Sequence, residues 1–323
     1  MSYSFGALQS PPDYRDYLYR AIFAAESLPR KFSRRSEMGP VRNQGQFGTC
    51  VGFGSAGVKD NQESREWGGK VQTSPLYIYA KCKQQDGIPD TEGTYPRVAM
   101  KVLHQSGVCK EGTFPYSRMS WPKMPAIPAE ACNEAAQYKI GAYARITMLD
   151  EVKQAIVKGG PVLGGIMVCE NFMNPSPGGF IGMPKGRIMG GHAICVVGYN
   201  DDMTANGHTG YLEVRNSWGE TWGDGGYCYI PYDFFNGKTA DLGVTYWFES
   251  WSSVDVVLPP QSCKEGYLWI GRNTALIDGV EVALDVPPEI KGDRTLVPLR
   301  FMSEHMGYRV DWDPVKSQVH FWR

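Results

Sequence analysis

A glycine-punctuated loop, Gln44 to Cys50, leads directly into a stretch of apolar and small residues that can form a close-packed helix. In a helix that begins at Cys50, the thiol would lie among the unpaired N–H groups of the first turn, at the positive end of the macrodipole. Both features favour the thiolate, which is the nucleophilic form of cysteine. A buried structural cysteine is the alternative, and this stretch alone does not decide between the two.

Two later segments supply partners for such a thiol. His192 opens an apolar, strand-like run 142 residues after Cys50, and Asn216 closes a second such run 166 residues after it. A thiol, an imidazole and an amide can serve as nucleophile, base and base-orienting group. The polar segment 201–210 between the two runs is interpreted as an insertion. The pattern as a whole favours a catalytic role for Cys50.

The sequence around these residues resembles the papain-like cysteine peptidases (C1 family) of the bacterial and phage type. The resemblance rests on residues 40–45, 48–50 and 191–193, and on Asn216-Ser217-Trp218-Gly219 with Trp222-Gly223 and Gly226-Tyr227. The spacing from Cys50 to His192 also falls within the roughly 130–150 residues expected of such enzymes. The resemblance implies an α+β protein with two lobes, one helical and one β-barrel-like, and a cleft between them.

The resemblance also implies a mechanism, that of a cysteine endopeptidase. His192 would take the proton of Cys50, whose thiolate would attack a peptide carbonyl and form a thioester acyl-enzyme. Asn216 would orient the imidazole, and Trp218 would shield that hydrogen bond from water. The Gln44 side chain and the Cys50 N–H would bind the oxyanion.

Two stretches match substrate-binding walls of this family. Gly93-Thr94-Tyr95-Pro96 corresponds to a backbone segment that pairs with an extended peptide, with Thr94 in place of a familiar glycine. Gly165, Gly190 and Gly191 align near the pocket for the residue two before the scissile bond. Small lining residues predict a roomy pocket that prefers a bulky hydrophobic side chain, although these glycines can instead serve backbone turns. Trp218 is the remaining predicted substrate-binding residue.

The eight cysteines do not identify a redox compartment. By resemblance to the family, Cys82 and Cys132 match a recurrent disulfide pair, whereas Phe47 stands where a second bridge usually has its cysteine. Cys195 and Cys228 lie in strand-like runs and are predicted to be buried thiols. Spacing alone cannot establish connectivity. We expect no cofactor, and no CxxC pair suggests a zinc site.

Charge and hydropathy argue against two classes of partner. The net charge is −1 with no block of like charges, so nothing favours nucleic acid or an anionic membrane surface. No apolar run approaches the roughly 20 residues of a membrane span, and the N-terminus lacks the apolar core of a signal peptide. The expected partner is a protein or peptide substrate.

Local signals predict the main elements of the peptidase part. Helices are expected from Cys50 to about Trp67, from Ser74-Pro75, from Tyr95-Pro96 and over 149–158. Strands are expected over 161–168, 192–199, 210–215 and 226–230.

The length predicts two domains. We place an N-terminal extension at 1–27, the peptidase domain at 28–250, a linker at 251–266 and an accessory domain at 267–323. An arm packed on the back of the fold is the favoured interpretation of the extension. The alternative is a strap that contacts the cleft and restrains activity.

The stretch 285–312 resembles the small domain related to the N-terminal domain of copper amine oxidases. Residues 287–288, 295–300 and 310–313 provide the match. The family name does not imply copper, and His305, Met306 and His320 form no recognisable ligand set. The resemblance favours a small α+β module in a secreted or cell-surface protein. Its core would be small, so docking on the peptidase or self-association is the expected behaviour.

Two rival functions stay open at this point. In one, the chain is a surface or virion binding protein whose C-terminal module carries the function, and partner binding would survive Cys50→Ala. In the other, an amine replaces water and the enzyme is a papain-fold transpeptidase, which product masses would identify.

Overall fold

The computed structural model describes residues 3–13, 15–22, 27–237, 245–254, 266–277, 280–284, 286–291, 294–299, 301–302, 309–313 and 318–322. The chain divides into two compact units. The first comprises Met1–Ser10 and Leu18–Val256, and the second comprises Pro11–Tyr17 and Val257–Arg323.

The described helices of the first unit are α1 (Tyr19–Ile22), α2 (Cys50–Trp67), α3 (Pro75–Lys83), α4 (Pro96–Gln105), α5 (Ala129–Ala135), α6 (Leu149–Lys158) and α7 (Tyr232–Asn236). One lobe is built around α2, α3 and α4, which pack on one another, whereas α6 and α7 pack against strands of the other lobe. The predicted helix starts are confirmed. At α3 the Ser74 side chain accepts a hydrogen bond from the Tyr77 backbone N–H at 3.0 Å, as an N-cap does. None of the described helices is long and apolar enough to cross a bilayer.

A single antiparallel sheet supplies the other lobe. Its strands are β1 (Lys31–Ser33), β2 (Ala142–Ile146), β3 (Val162–Cys169), β4 (Ile188–Ala205), β5 (His208–Arg215), β6 (Tyr227–Pro231) and β7 (Trp247–Val254). Their order is β2-β7-β3-β4-β5-β6, with β1 paired to β4. The four predicted strands are present. The barrel-like form is corrected, because the described strands make an open sheet in which β2 and β6 do not pair.

The segment 201–210 is the tip of a β-hairpin rather than a separate insertion. Strand β4 continues to Ala205 and pairs with β5, which starts at His208. The two turn residues, Asn206 and Gly207, have φ values of 49° and 80°, the positive values that a two-residue hairpin turn requires.

Helix α2 packs across the sheet and thereby places its first residue, Cys50, beside β4. A side chain at Gly54 would lie 2.8 Å from the Leu163 side chain, and one at Gly57 would lie 3.1 Å from Cys195 Sγ. The small residues that follow Cys50 therefore allow a close approach of helix and sheet.

The second unit is built mainly of short strands. Its strands β8 (Gly266–Leu268), β9 (Thr274–Ile277), β10 (Val280–Ala283), β11 (Glu289–Lys291), β12 (Arg294–Leu296), β13 (Arg309–Asp313) and β14 (Gln318–Trp322) form three small sheets. Its described core contains Ala275, Ile277, Leu284 and Phe301. The predicted α+β character is corrected to a β module, since the described helical residues are only 299 and 301–302.

Several predictions for this unit fall outside the described residues. The turn at Asp278-Gly279 lies there, as do His305 and Met306 and the side chain of His320. The flanking strands β9 and β10 do pair antiparallel. Docking of the module or its self-association stays a prediction.

Candidate active site

Cys50 is the first residue of α2, and it is fully buried. Burial raises the pKa of its thiol to about 11, although hydrogen bonds with the backbone of Ala193 and Gly6 oppose the shift. The helix N-terminus alone therefore does not produce a thiolate in this state, because desolvation of the charged form outweighs it. Burial therefore favours the neutral thiol over the thiolate.

His192 lies on β4, and one of its two ring nitrogens has no hydrogen-bond partner among the described residues. Its Nε2 atom lies 2.8 Å from Oδ1 of Asn216, and that oxygen also accepts the Ser217 backbone N–H at 2.8 Å. Because an amide oxygen only accepts, Nε2 carries the proton of a neutral ring. Among the described residues Nδ1 has no hydrogen-bond partner. It is the nitrogen that is free to take a proton.

Burial also determines the charge of this ring. The pKa of His192 is lowered to about 4 by burial, and the hydrogen bond to Asn216 opposes the shift. Burial therefore favours the neutral form of both groups.

Aromatic rings enclose the imidazole. The Trp218 ring stacks on His192 with centroids 4.7 Å apart and planes 30° apart. Phe172 approaches the same imidazole edge-on at 6.2 Å. Trp218 thus lies where the sequence predicted a shield, whereas Phe172 was missed because nothing in its local sequence marks it.

The Gln44 side chain is held in one orientation. Its Oε1 accepts the Ser217 hydroxyl at 2.6 Å. Its Nε2 therefore points the other way and donates to the carbonyl oxygens of Phe47 at 2.8 Å and Ser4 at 3.1 Å. An amide donor held in this way can bind an oxyanion.

The N-terminal residues 4–8 run through the cleft, not along the back of the fold. The N–H groups of Gly6 and Ala7 donate to the Gly191 carbonyl at 3.1 and 3.0 Å. On the other side, the Thr94 N–H donates to the Gly6 carbonyl at 2.8 Å, and the Leu8 N–H donates to the Thr94 carbonyl at 3.0 Å. The segment is bound as a short strand between the two lobes.

The wall that contains Thr94 is rigidly supported. The Gly93 N–H donates to the Tyr79 hydroxyl at 2.9 Å, and its carbonyl accepts from Lys83 Nζ at 2.9 Å. Tyr95 and Pro96 then begin α4 as its N-cap and first residue. The predicted wall therefore presents the backbone of Thr94 to a bound chain.

The glycines predicted to line a roomy pocket do not leave open space. A Cβ atom at Gly165 would overlap the Phe248 ring, and one at Gly190 would lie 2.9 Å from Phe5 Cβ. At Gly191 it would overlap the carbonyl oxygen of Ala7. The ring of Phe248, a residue of β7, fills the space at Gly165. The N-terminal segment fills the spaces at Gly190 and Gly191.

The predicted bridge between Cys82 and Cys132 is not formed. Both are free thiols. They have different surroundings, because Cys82 is buried, whereas Cys132 is partly exposed. Among the described residues no group of three or more His, Cys, Asp or Glu side chains could hold a metal ion.

A buried thiol at a helix start, a histidine–asparagine pair under an indole and a fixed glutamine amide could together provide a nucleophile, a base with its orienting group, and a hydrogen-bond donor. Comparison with known families agrees: the papain family cysteine protease model matches residues 28–240. The chain therefore belongs to the papain family and is a hydrolase of the cysteine-protease class. The copper amine oxidase N-terminal domain model matches residues 250–321.

Individual relatives support the same assignment. The chain is 29% identical over 273 residues to an uncharacterized peptidase C1-like protein of Acanthamoeba polyphaga mimivirus, across 72% of this chain and 83% of that protein. It is 29% identical over 232 residues to cathepsin K of Mus musculus, across 69% of this chain and 66% of the relative. Xylellain, a cysteine protease from Xylella fastidiosa, matches with a TM-score of 0.63 and 25% identity, over 77% of this chain and 96% of the other.

Proposed function

We propose that this protein is a cysteine endopeptidase that uses Cys50, His192, Asn216 and Gln44 and forms a thioester acyl-enzyme. The observation that carries the proposal is the buried hydrogen bond of 2.8 Å between His192 Nε2 and Asn216 Oδ1. This hydrogen bond fixes the tautomer of His192 in which Nδ1 is the basic nitrogen. The next residue of the same strand, Ala193, contacts the thiol of Cys50 through its backbone.

In the proposed first step, Nδ1 of His192 takes the thiol proton and the sulfur attacks the substrate carbonyl carbon. The oxyanion that forms is bound by Gln44 Nε2 and the Cys50 N–H, donors worth roughly 2.7–4 kcal/mol each in such sites. His192 then gives its proton to the leaving amine. Water, activated by the same imidazole, hydrolyses the thioester and restores the thiol.

The proposal includes an inhibitory role for residues 4–8. The Ser4 carbonyl accepts a hydrogen bond of 3.1 Å from Gln44 Nε2. The ring of Tyr3 stacks on that of Trp218, with centroids 4.3 Å apart. A substrate needs the same amide and the same backbone groups of Thr94 and Gly191. On this proposal the segment covers the site, and its displacement is required for activity.

The proposal retains a preference for a hydrophobic side chain two residues before the scissile bond. Phe5 is supporting evidence, because its aromatic ring is accommodated at Gly190, 6.2 Å from the His192 ring. Phe248, which fills the space at Gly165, sets the depth of the pocket.

A peptidyl epoxide that alkylates active-site thiols tests the proposal. The 323-residue chain and its Gly6→Ala variant, in which the segment cannot seat, would be labelled and the modified residue located by mass spectrometry. We expect Cys50 to be labelled faster in the variant than any other cysteine. Labelling spread over several cysteines in both forms would contradict the proposal.

A further inference from the structure

The hydroxyl group of Tyr116 lies between Gln44 and Thr49, the residue that precedes Cys50. It donates a hydrogen bond to the Gln44 backbone carbonyl at 2.8 Å. Since its only proton is used there, it accepts the second hydrogen bond, from the Thr49 hydroxyl at 2.6 Å. Thr49 immediately precedes Cys50, so its peptide bond contains the Cys50 N–H.

Tyr116 is itself held in place from a different part of the chain. Its ring packs edge-on against Phe53 of α2, with centroids 4.6 Å apart. Its backbone N–H donates to Glu111 Oε1 at 2.8 Å. Burial raises the pKa of the Tyr116 hydroxyl, so the group stays protonated at neutral pH and can donate to Gln44.

The loop between the two contacts is intrinsically pliable. Gly45 has a φ of 63°, and Gly48 is a second glycine within the same six residues. Glycines allow many backbone conformations. A fixed distance between the Gln44 amide and the Cys50 N–H therefore requires a contact that spans the loop, and the Tyr116 hydroxyl makes one.

We infer that Tyr116 is a positioning residue of the oxyanion hole, whose hydroxyl clamps Gln44 to Thr49 and so sets the spacing of the two donors. The inference rests on the proposed function, since it requires those donors to bind the oxyanion. Tyr116 touches neither the thiol nor the imidazole, and it acts only through the loop.

The test uses Tyr116→Phe, which removes the hydroxyl and keeps the ring, in the full-length Gly6→Ala chain. Complete loss of one oxyanion donor lowers kcat by roughly 10²–10³, so misplacement of the donors should lower it by about tenfold with KM little changed. A peptide aldehyde, whose hemithioacetal oxygen occupies the oxyanion hole, should bind about tenfold more weakly. An unreactive peptide of the same sequence should bind as before.

Tyr199→Phe is the matched control. It also removes a hydroxyl-to-carbonyl hydrogen bond, of 2.7 Å to Pro29, but at a position remote in sequence from the loop. It should leave kcat unchanged. Thr49→Val removes the other half of the clamp and should reproduce the effect of Tyr116→Phe, whereas Thr49→Ser retains the hydroxyl and should restore kcat.

A double-mutant cycle decides whether Tyr116 acts through Gln44. With Gln44→Ala in place, Tyr116→Phe should lower kcat by less than threefold. An unchanged kcat in Tyr116→Phe, or an undiminished effect in the Gln44→Ala background, would overturn the inference. A parent chain without Cys50-dependent turnover would instead overturn the proposed function, and with it the role of Tyr116.

Discussion

Gly6 lies against the backbone of Gly48 so closely that a Cβ atom at residue 6 would overlap the Gly48 carbonyl oxygen. The same glycine accepts a hydrogen bond from the Thr94 N–H at 2.8 Å. Because neither contact involves a movable side chain, the segment can seat in the cleft only with glycine at this position. A side chain at residue 6 should therefore disrupt the proposed inhibition.

Gly6→Ala should displace the segment and raise the rate of peptide hydrolysis by the full-length chain at least tenfold. The fold should persist, since Gly6 contributes no side chain to it. The measurement is the initial rate on a fluorogenic peptide. Gly182→Ala is the control, because a Cβ atom there would meet nothing within 4 Å. Equal rates for Gly6→Ala and the parent chain would contradict the inhibitory role.

Asn216→Ala should lower kcat about ten- to thirtyfold and change KM by less than twofold. The variant loses the acceptor that orients His192, and such a hydrogen bond is worth about 1–2 kcal/mol. Steady-state kinetics in the Gly6→Ala background measure the effect. Asn200→Ala, which removes a side-chain acceptor 3.0 Å from the Asp202 N–H, should leave kcat unchanged. A large rise in KM instead would assign Asn216 to substrate binding.

The full-length chain should become less stable as the pH falls from 6.5 to 4. The folded pKa of His192 is about 4, against an ordinary value of 6.5, so the unfolded chain takes up a proton in this window that the folded chain does not. The free energy of unfolding therefore falls with decreasing pH, by up to about 3 kcal/mol from this group.

Urea unfolding at pH 6.5 and pH 4.5, with His192→Gln as the comparison, isolates this contribution. The variant should lose less stability than the parent chain between the two pH values. Identical losses in both proteins would show that His192 is already protonated, or solvated, in the folded state.

Phe248→Leu should deepen the pocket next to Gly165. The Phe248 ring occupies the space in which a side chain at residue 165 would lie, and leucine is shorter. We expect kcat/KM for peptides with phenylalanine two before the scissile bond to rise about fivefold relative to peptides with valine there. An unchanged ratio would place the specificity pocket elsewhere.

Local sequence rules predicted the helices because their signals lie close together in the chain. Ser74 and Pro75 specify the start of α3 by capping and by the fixed φ of proline, and the structure has that cap. The strands were also recognised. Their arrangement as an open sheet was not, because strand order depends on pairings between distant segments such as β3 with β7.

The residues of the candidate site also divide into those with a recognisable sequence motif and those whose contacts depend on the folded chain. Cys50, His192, Asn216 and Gln44 stand in recognisable motifs and were all proposed from sequence. Tyr116, Phe5 and Phe248 carry no motif, and their contacts with Gln44, Gly190 and Gly165 arise only once the chain has folded. The thiol's pKa could not be predicted either, because the burial that raises it comes from tertiary packing.

The most direct test of the central claim is cleavage of an extended peptide library by the full-length Gly6→Ala chain, with and without Cys50→Ala, followed by mass spectrometry of the products. We expect fragments that carry one added water across the broken bond, and their complete absence when Cys50 is replaced. We also expect a transient adduct at Cys50 with the mass of the acyl part. Cleavage that persists in Cys50→Ala, or no cleavage although the cleft is open, would contradict the proposed function.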